Sequence, residues 1–217
     1  MSSGSIPSPV YFWRETEPET GYLSQWYPCA FSDDKDPSII YHTAEHYMMY
    51  QKAILFDDAT IAAQILSTPQ DDPRGVKALG RKVSNFDDSK WNKNRLEIVR
   101  RGNLLKFTRP ADKEDGKWIA GDGRSLKEML LGTGEKELVE ASPMDRIWGI
   151  GFGARRAGEV GRERWGLNLL GKALMAVREE LVKEEVAKGG REGEGEVGAK
   201  EEEKEKKTKG ESERAAE

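Results

Sequence analysis

From Ala187 to Glu217 the chain holds one Val, four Ala and no larger apolar residue. A segment of that make-up has nothing to bury, so it cannot offset the entropy lost on ordering. Whatever folds must do so ahead of it. Residues 1–8 (Met-Ser-Ser-Gly-Ser-Ile-Pro-Ser) have the same character on a smaller scale. Three segments are therefore expected: a disordered N-terminal tail at 1–8, one domain at 9–186, and a disordered charged tail at 187–217. The chain as a whole is 36% hydrophobic and 34% charged, poorer in apolar and richer in charged residues than an average domain. The tails explain that imbalance, since all six Trp fall inside the 9–186 body. A body of that length suits a single core.

The formal net charge of −4 provides no global attraction to nucleic acid or membrane, and leaves a local basic patch open. The one cysteine, Cys29, rules out an internal disulfide framework and fits a reducing compartment. It reads as a small, part-buried residue, because no base partner for a reactive thiol is visible. No apolar run has signal-peptide or membrane-spanning length. The expectation is a soluble, cytoplasmic protein, with access to the nucleus open and no membrane partner.

Local patterns predict mainly helix with a few short strands. Val10-Tyr11-Phe12-Trp13 and Ser38-Ile39-Ile40-Tyr41 have strand composition. Thr43 reads as an N-cap whose hydroxyl takes a free N–H of a helix over 44–56. Further helices are expected near 58–67, 74–81, 90–107 (despite Gly102), 125–132 and 168–186. Ser142-Pro143 reads as another helix start, since Pro at the first helical position has no N–H to lose. The Gly-rich stretches 109–123 and 149–161 read as loops.

Three clusters bear on chemistry. On a helix, Glu45 and Lys52 are seven positions apart and differ by only ~20° about its axis. An acid and an amine then share a face with Met49 between them, and burial would push Glu up and Lys down in pKa. A solvated face or a structural ion pair fits the same spacing. His42-Thr43-Ala44-Glu45-His46 also spells H-x-x-E-H, an inverted zinc-peptidase pattern. If Thr43 is the N-cap, however, His42 lies outside the helix and the two imidazoles cannot share a face; a satisfied core His46 fits better. In the second cluster, Asp145 and Trp148 lie three apart ahead of Gly149, pairing a carboxylate with a flat stacking surface and close backbone approach. In the third, Asn168 and Gly171 lie one turn apart, either as N-cap and packing glycine or as a polar reader beside a ligand.

Leu23-Ser24-Gln25-Trp26-Tyr27-Pro28, Thr43-Ala44-Glu45-His46-Tyr47, Gln51-Lys52, Gly80-Arg81, Lys106-Phe107, Leu138-Val139-Glu140, Asp145-x-x-Trp148-Gly149 and Asn168-x-x-Gly171 occur in this order over residues 11–182. That succession resembles the NADAR/YbiA-like proteins. The resemblance implies a compact, single-domain, mainly α fold and an N-glycosidase that uses no cofactor and no metal. Members of the family hydrolyse riboflavin-pathway pyrimidine riboside phosphates or remove ADP-ribose from modified guanine. A small nucleotide-like substrate or ADP-ribosylated nucleic acid is thus the implied partner; oligomeric state is not implied. Carried over residue by residue, Glu45, Lys52 and Asp145 are the expected catalytic groups, with Lys52 stabilising charge or acting through a Schiff base. Ser24, Trp26, Arg81, Trp148, Gly149, Asn168, Gly171, Arg155 and Arg156 are the expected substrate-binding residues, and Arg14 a weaker one. The chain departs from the family in carrying Gln25-Trp26 where Asn-Phe or Asn-Tyr is frequent, His42 where Pro is common, and Gly151-Phe152-Gly153-Ala154-Arg155-Arg156 in place of a shorter acidic loop. Two other classes remain: a non-catalytic ADP-ribose or nucleotide-binding module, and a zinc hydrolase built on H-x-x-E-H.

Overall fold

The computed structural model describes residues 7–111 and 123–188. The tails expected at 1–8 and 187–217, and the loop expected at 109–123, lie wholly or mostly outside the described residues. The chain divides into a unit over 1–178 and a second over 179–217. Of the second, residues 179–188 are described; they are helical, with Lys183 Nζ 2.7 Å from Glu179 Oε1.

Within the first unit, Thr43 opens helix α1 (Ala44–Leu55) as predicted, its side chain accepting from the His46 N–H at 3.1 Å. Asp58 caps α2 (Ala59–Leu66), Asp72 caps α3 (Pro73–Gly80) and Asp87 caps α4 (Asp88–Thr108) in the same manner. Each short side chain satisfies an N–H that the helix itself leaves unpaired. Ser125 and Glu128 form a reciprocal capping box on α5 (Leu126–Leu131). α1 is the hub, packing on α2, α3 and α4. Two of those contacts need a glycine. A Cβ on Gly80 would lie 2.0 Å from Met49 Sδ, and one on Gly102 would lie 2.4 Å from Tyr47 Cδ1. Gly102 therefore sits inside α4 as a docking point for the Tyr47 ring. Burial in α4 begins at Val99; Leu96, expected on the apolar face, is exposed.

The strands are short. β2 (Phe31–Ser32) pairs antiparallel with β3 (Ile40–Tyr41), and β1 (Val10–Phe12) pairs parallel with β4 (Leu138–Glu140) in the register Val10↔Leu138 to Phe12↔Glu140. β4 and β2 were not foreseen as strands. The expected helix start at Ser142-Pro143 is absent; residues 141–150 form turns. Asp145 contributes, because its Oδ1 accepts from the N–H groups of Ile147 at 2.7 Å and Trp148 at 2.8 Å. That local closure competes with helix propagation. The expected loop at 149–161 contains a one-turn helix, α6 (Ala154–Ala157). Helix resumes at 169 and runs to the end of the first unit.

Candidate active site

β1 and β4 run in the same direction, so both release the chain at one end. The Ala141 N–H donates to Phe12 O at 2.7 Å, carrying the pairing one step further. Beyond it residues 13–16 and 141–148 diverge and wall a cavity of about 830 Å³. The first turn of α1, the loop 24–26 and one face of α3 complete the wall. The segment 146–149 is strapped to the start of the last helix: Leu167, Asn168, Leu169 and Leu170 donate their N–H groups to the carbonyls of Arg146, Gly149, Ile147 and Trp148. Close approach there depends on Gly149 and Gly166. A Cβ on the first would fall 2.7 Å from Glu140 O, and on the second 2.4 Å from Arg146 O.

Four carboxyls line the cavity, Glu15, Glu45, Glu140 and Asp145, and the last three bear on the chemistry. Glu45 is 4% exposed, and its Oε1 has no hydrogen-bond partner. Burial pushes its pKa up to about 7, against the lowering pull of Lys77. Glu140, at the end of β4, is raised to about 8, first by burial and then by the charges of Asp145 and Glu45; its Oε2 is also unpartnered. Two acids in one pocket, each disfavouring the other's charge, can hold a proton at neutral pH.

Four cations face them: Arg14, Arg74, Lys77 and Arg81. Arg74, Lys77 and Arg81 recur along α3 at helical spacing and present one basic edge. Trp13, Trp26 and Trp148 supply flat surfaces. The Arg14 guanidinium lies 4.4 Å from the Trp13 ring centroid, and Lys77 Nζ lies 5.4 Å from that of Trp26. The loop that carries Ser24 and Trp26 is held from below by Lys106. This buried ammonium donates to Tyr22 O at 2.6 Å and Ser24 O at 2.9 Å, and burial lowers its pKa.

The fold thus gathers Glu45, Asp145, Ser24, Trp26, Arg81, Trp148 and Arg14 of the residues expected from the sequence. It leaves others elsewhere. Lys52 does not line the cavity: its Nζ donates to Gly80 O at 2.8 Å and lies 4.2 Å from the Phe86 ring centroid. Seven residues advance the chain ~10 Å along a helix axis, and α3 crosses α1 at that level, covering the Met49–Lys52 row. Asn168 has a backbone task. Its Nδ2 donates to Leu138 O at 2.9 Å and its Oδ1 accepts from the Glu140 N–H at 3.0 Å, so it pairs with β4 as a neighbouring strand would. Gly171 lets the last helix touch that strand, since a Cβ would lie 2.1 Å from Leu138 O. Gly149 is a packing residue on the same evidence of space, and Arg155 and Arg156 are exposed on α6. Sequence reasoning missed Lys77, Glu140, Arg74, Trp13 and Gln25. The three-and-four spacing of Arg74, Lys77 and Arg81 was a usable signal for the first; an acid ending the apolar pair Leu138-Val139 was one for the second.

His46 is occupied on both ring nitrogens. Nδ1 accepts from the His42 N–H at 3.1 Å, and Nε2 donates to Ile65 O at 2.9 Å. That leaves no lone pair for a metal, and burial holds its pKa down at about 4. The H-x-x-E-H reading fails on this geometry.

Comparison with known proteins agrees with this architecture. The chain is 39% identical over 176 residues, 79% of its length and 95% of the relative's, to a protein named N-glycosidase R617 from Acanthamoeba polyphaga mimivirus. It is 33% identical over 172 residues, 79% of its length and 92% of the relative's, to N-glycosidase Npun_R5314 from Nostoc punctiforme. The solution structure of the E. coli protein YbiA shares the fold with a TM-score of 0.60 at 24% identity, over 84% of this chain and 89% of that one. The NADAR domain matches residues 11–182, which take in the parallel pair from Tyr11 onward, all four cavity acids and the basic edge of α3, and the chain belongs to the NADAR family.

Proposed function

We propose that this chain is a hydrolase that cleaves the C1′–N bond of a ribosylated base, and that the 830 Å³ cavity is where it does so. The observation that carries the reading is the meeting of four carboxyls, two of them raised toward neutrality, with four cations and three Trp in one cavity. Cleavage of an N-glycosidic bond needs a proton for the departing nitrogen, support for positive charge at C1′, and a water to attack it. Glu45 donates its proton to the base nitrogen as that nitrogen takes the bonding electrons. Asp145, its Oδ1 tied to two backbone N–H groups, turns Oδ2 to a ribose hydroxyl or the incoming water. The water oxygen bonds to C1′ and gives up a proton to a neighbouring carboxylate. Trp148 and Trp26 stack on flat parts of the ligand, and Arg81, Arg74 and Arg14 grip phosphate. Lys77 supplies the cationic charge beside Glu45 that the sequence had suggested for Lys52.

The volume lies in the upper half of the range typical of small-molecule sites. Four cations exceed what one phosphate uses. Both features favour an ADP-ribosylated base over a riboside monophosphate. The test is product release read by mass spectrometry from DNA carrying ADP-ribosylated guanine and from riboflavin-pathway riboside phosphates, with wild type and Glu45→Gln. Free ADP-ribose, with unmodified guanine left in the DNA and both lost in the variant, is the expected outcome. Release from the riboside phosphates alone reverses the substrate preference. Release from neither, by a folded protein that binds ADP-ribose, replaces hydrolysis with recognition.

A further inference from the structure

We propose that Gln25 is a specificity-determining residue of this cavity, presenting a fixed N–H donor to a hydrogen-bond acceptor on the substrate, and that Asn103 is the positioning residue that sets its orientation. The proposal rests on the N-glycosidase reading above.

A carboxamide has nearly the same shape either way round, so a glutamine in a pocket offers either its NH₂ or its oxygen. What holds the other end decides. Gln25 is 8% exposed and lines the cavity. Its Oε1 accepts from Asn103 Nδ2 at 2.9 Å, and its Nε2 is buried with no partner. Asn103 is wholly buried, and the same Nδ2 also donates to Val99 O at 2.9 Å. A main-chain carbonyl can only accept. The atom of Asn103 on that side must therefore be nitrogen, and the atom of Gln25 facing it must be oxygen. Turning over Asn103, or both amides together, sets Asn103 oxygen against Val99 O; turning Gln25 alone sets nitrogen against nitrogen. A relay from Val99 through Asn103 thus leaves the Gln25 NH₂ as the amide end that a ligand can engage.

Gln25 is a neighbour of Glu45, because the Glu45 N–H donates to the Gln25 main-chain O at 2.9 Å. A buried donor without a partner is costly, and a ligand acceptor is what removes that cost. A substrate with a carbonyl or other acceptor at this point is selected; one with an amino group meets a second donor and is rejected.

Kinetics on whichever substrate the wild-type full chain cleaves test this, using Gln25→Met, Gln25→Glu and Asn103→Leu with melting temperatures alongside. Gln25→Met keeps the volume and removes the donor; kcat/KM is expected to fall about 10- to 100-fold. Gln25→Glu keeps the Asn103 bond and replaces the donor with a carboxylate oxygen, and should fall further. Asn103→Leu alone should fall about 10-fold, yet add nothing in a Gln25→Met background, because its effect runs through Gln25. Gln25→Asn, which keeps the carboxamide one methylene shorter, guards against misfolding and should show a similar loss from shortened reach. Wild-type kcat/KM in the folded Gln25 variants, or full additivity of Asn103→Leu, overturns the proposal. If wild type cleaves neither substrate, hydrolysis fails, and calorimetric titration of ADP-ribose decides instead. Binding weakened by Gln25→Met supports the donor; equal binding, or none by wild type, overturns it.

Discussion

Glu45 is a carboxyl whose burial works against its charge, and activity and stability draw on it in opposite ways. In the folded protein its pKa stands at about 7, against 4.5 when unperturbed. The native state therefore keeps a proton that the unfolded chain has released once pH passes 4.5. The stabilisation is whole below that value and is lost as pH rises through about 7. Glu140 extends the loss to about 8. At one pKa unit per ~1.4 kcal/mol, Glu45 alone accounts for up to about 3 kcal/mol. Glu45→Gln should abolish hydrolysis while raising Tm at pH 8.5 by several degrees, with no gain at pH 4.5; equal melting curves for both proteins at pH 8.5 would refute the assignment. Hydrolysis by wild type should fall as pH rises past 7 to 8, as the acid loses its proton. The two lysines separate at the same scale. Lys77→Met should lower kcat/KM about 10- to 100-fold, whereas Lys52→Met should appear chiefly in Tm, through the lost bond to Gly80 O. Borohydride added during turnover should leave no adduct on Lys52.

At the scale of elements, the site depends on a two-stranded parallel pair that is too short to stand alone. Asn168 supports its open side with two hydrogen bonds to β4 and does so from a left-handed backbone, at φ 50°, a conformation Asn tolerates better than most residues. Asn168→Ala should destabilise by about 2–4 kcal/mol, read by denaturant unfolding. A change near zero would return Asn168 to the ligand. Thr43→Ala should cost about 1 kcal/mol through the lost cap. The elements were largely legible in advance. The Thr43 cap and the apolar spacing behind the other expected helices act within one or two helical turns, where sequence neighbours are also spatial neighbours. The turn at 141–150 was misread because Pro143 at a helix start and Asp145 closing on Ile147 and Trp148 are both local signals, and only contacts with residues 166–170 decide between them.

For the whole molecule, charge is distributed rather than excessive. A net charge of −4 conceals a cavity edge built of Arg14, Arg74, Lys77 and Arg81. An anionic substrate should therefore bind in a salt-dependent way: raising ionic strength from 0.05 to 0.5 M should increase KM several-fold and change kcat less, as screening shortens the reach of those cations. A salt-independent KM would remove phosphate from the reading. No described helix is long and apolar enough to cross a membrane.

Sequence alone determined the helical character and most helix starts, and short patterns with their own local physics singled out Glu45, Asp145 and Trp148, while Arg81 entered through the family resemblance. The tertiary structure decided which charges meet. Lys52 shares a face with Glu45 but is bonded to Gly80 O at the end of α3, outside the cavity lining. Lys77 and Glu140 lie 32 and 95 positions beyond Glu45 in the chain and line the same cavity with it. A buried carboxyl, a paired lysine and an unpaired amide look alike in one dimension. Their pKa values and their free hydrogen bonds come into existence only when distant segments pack and exclude water.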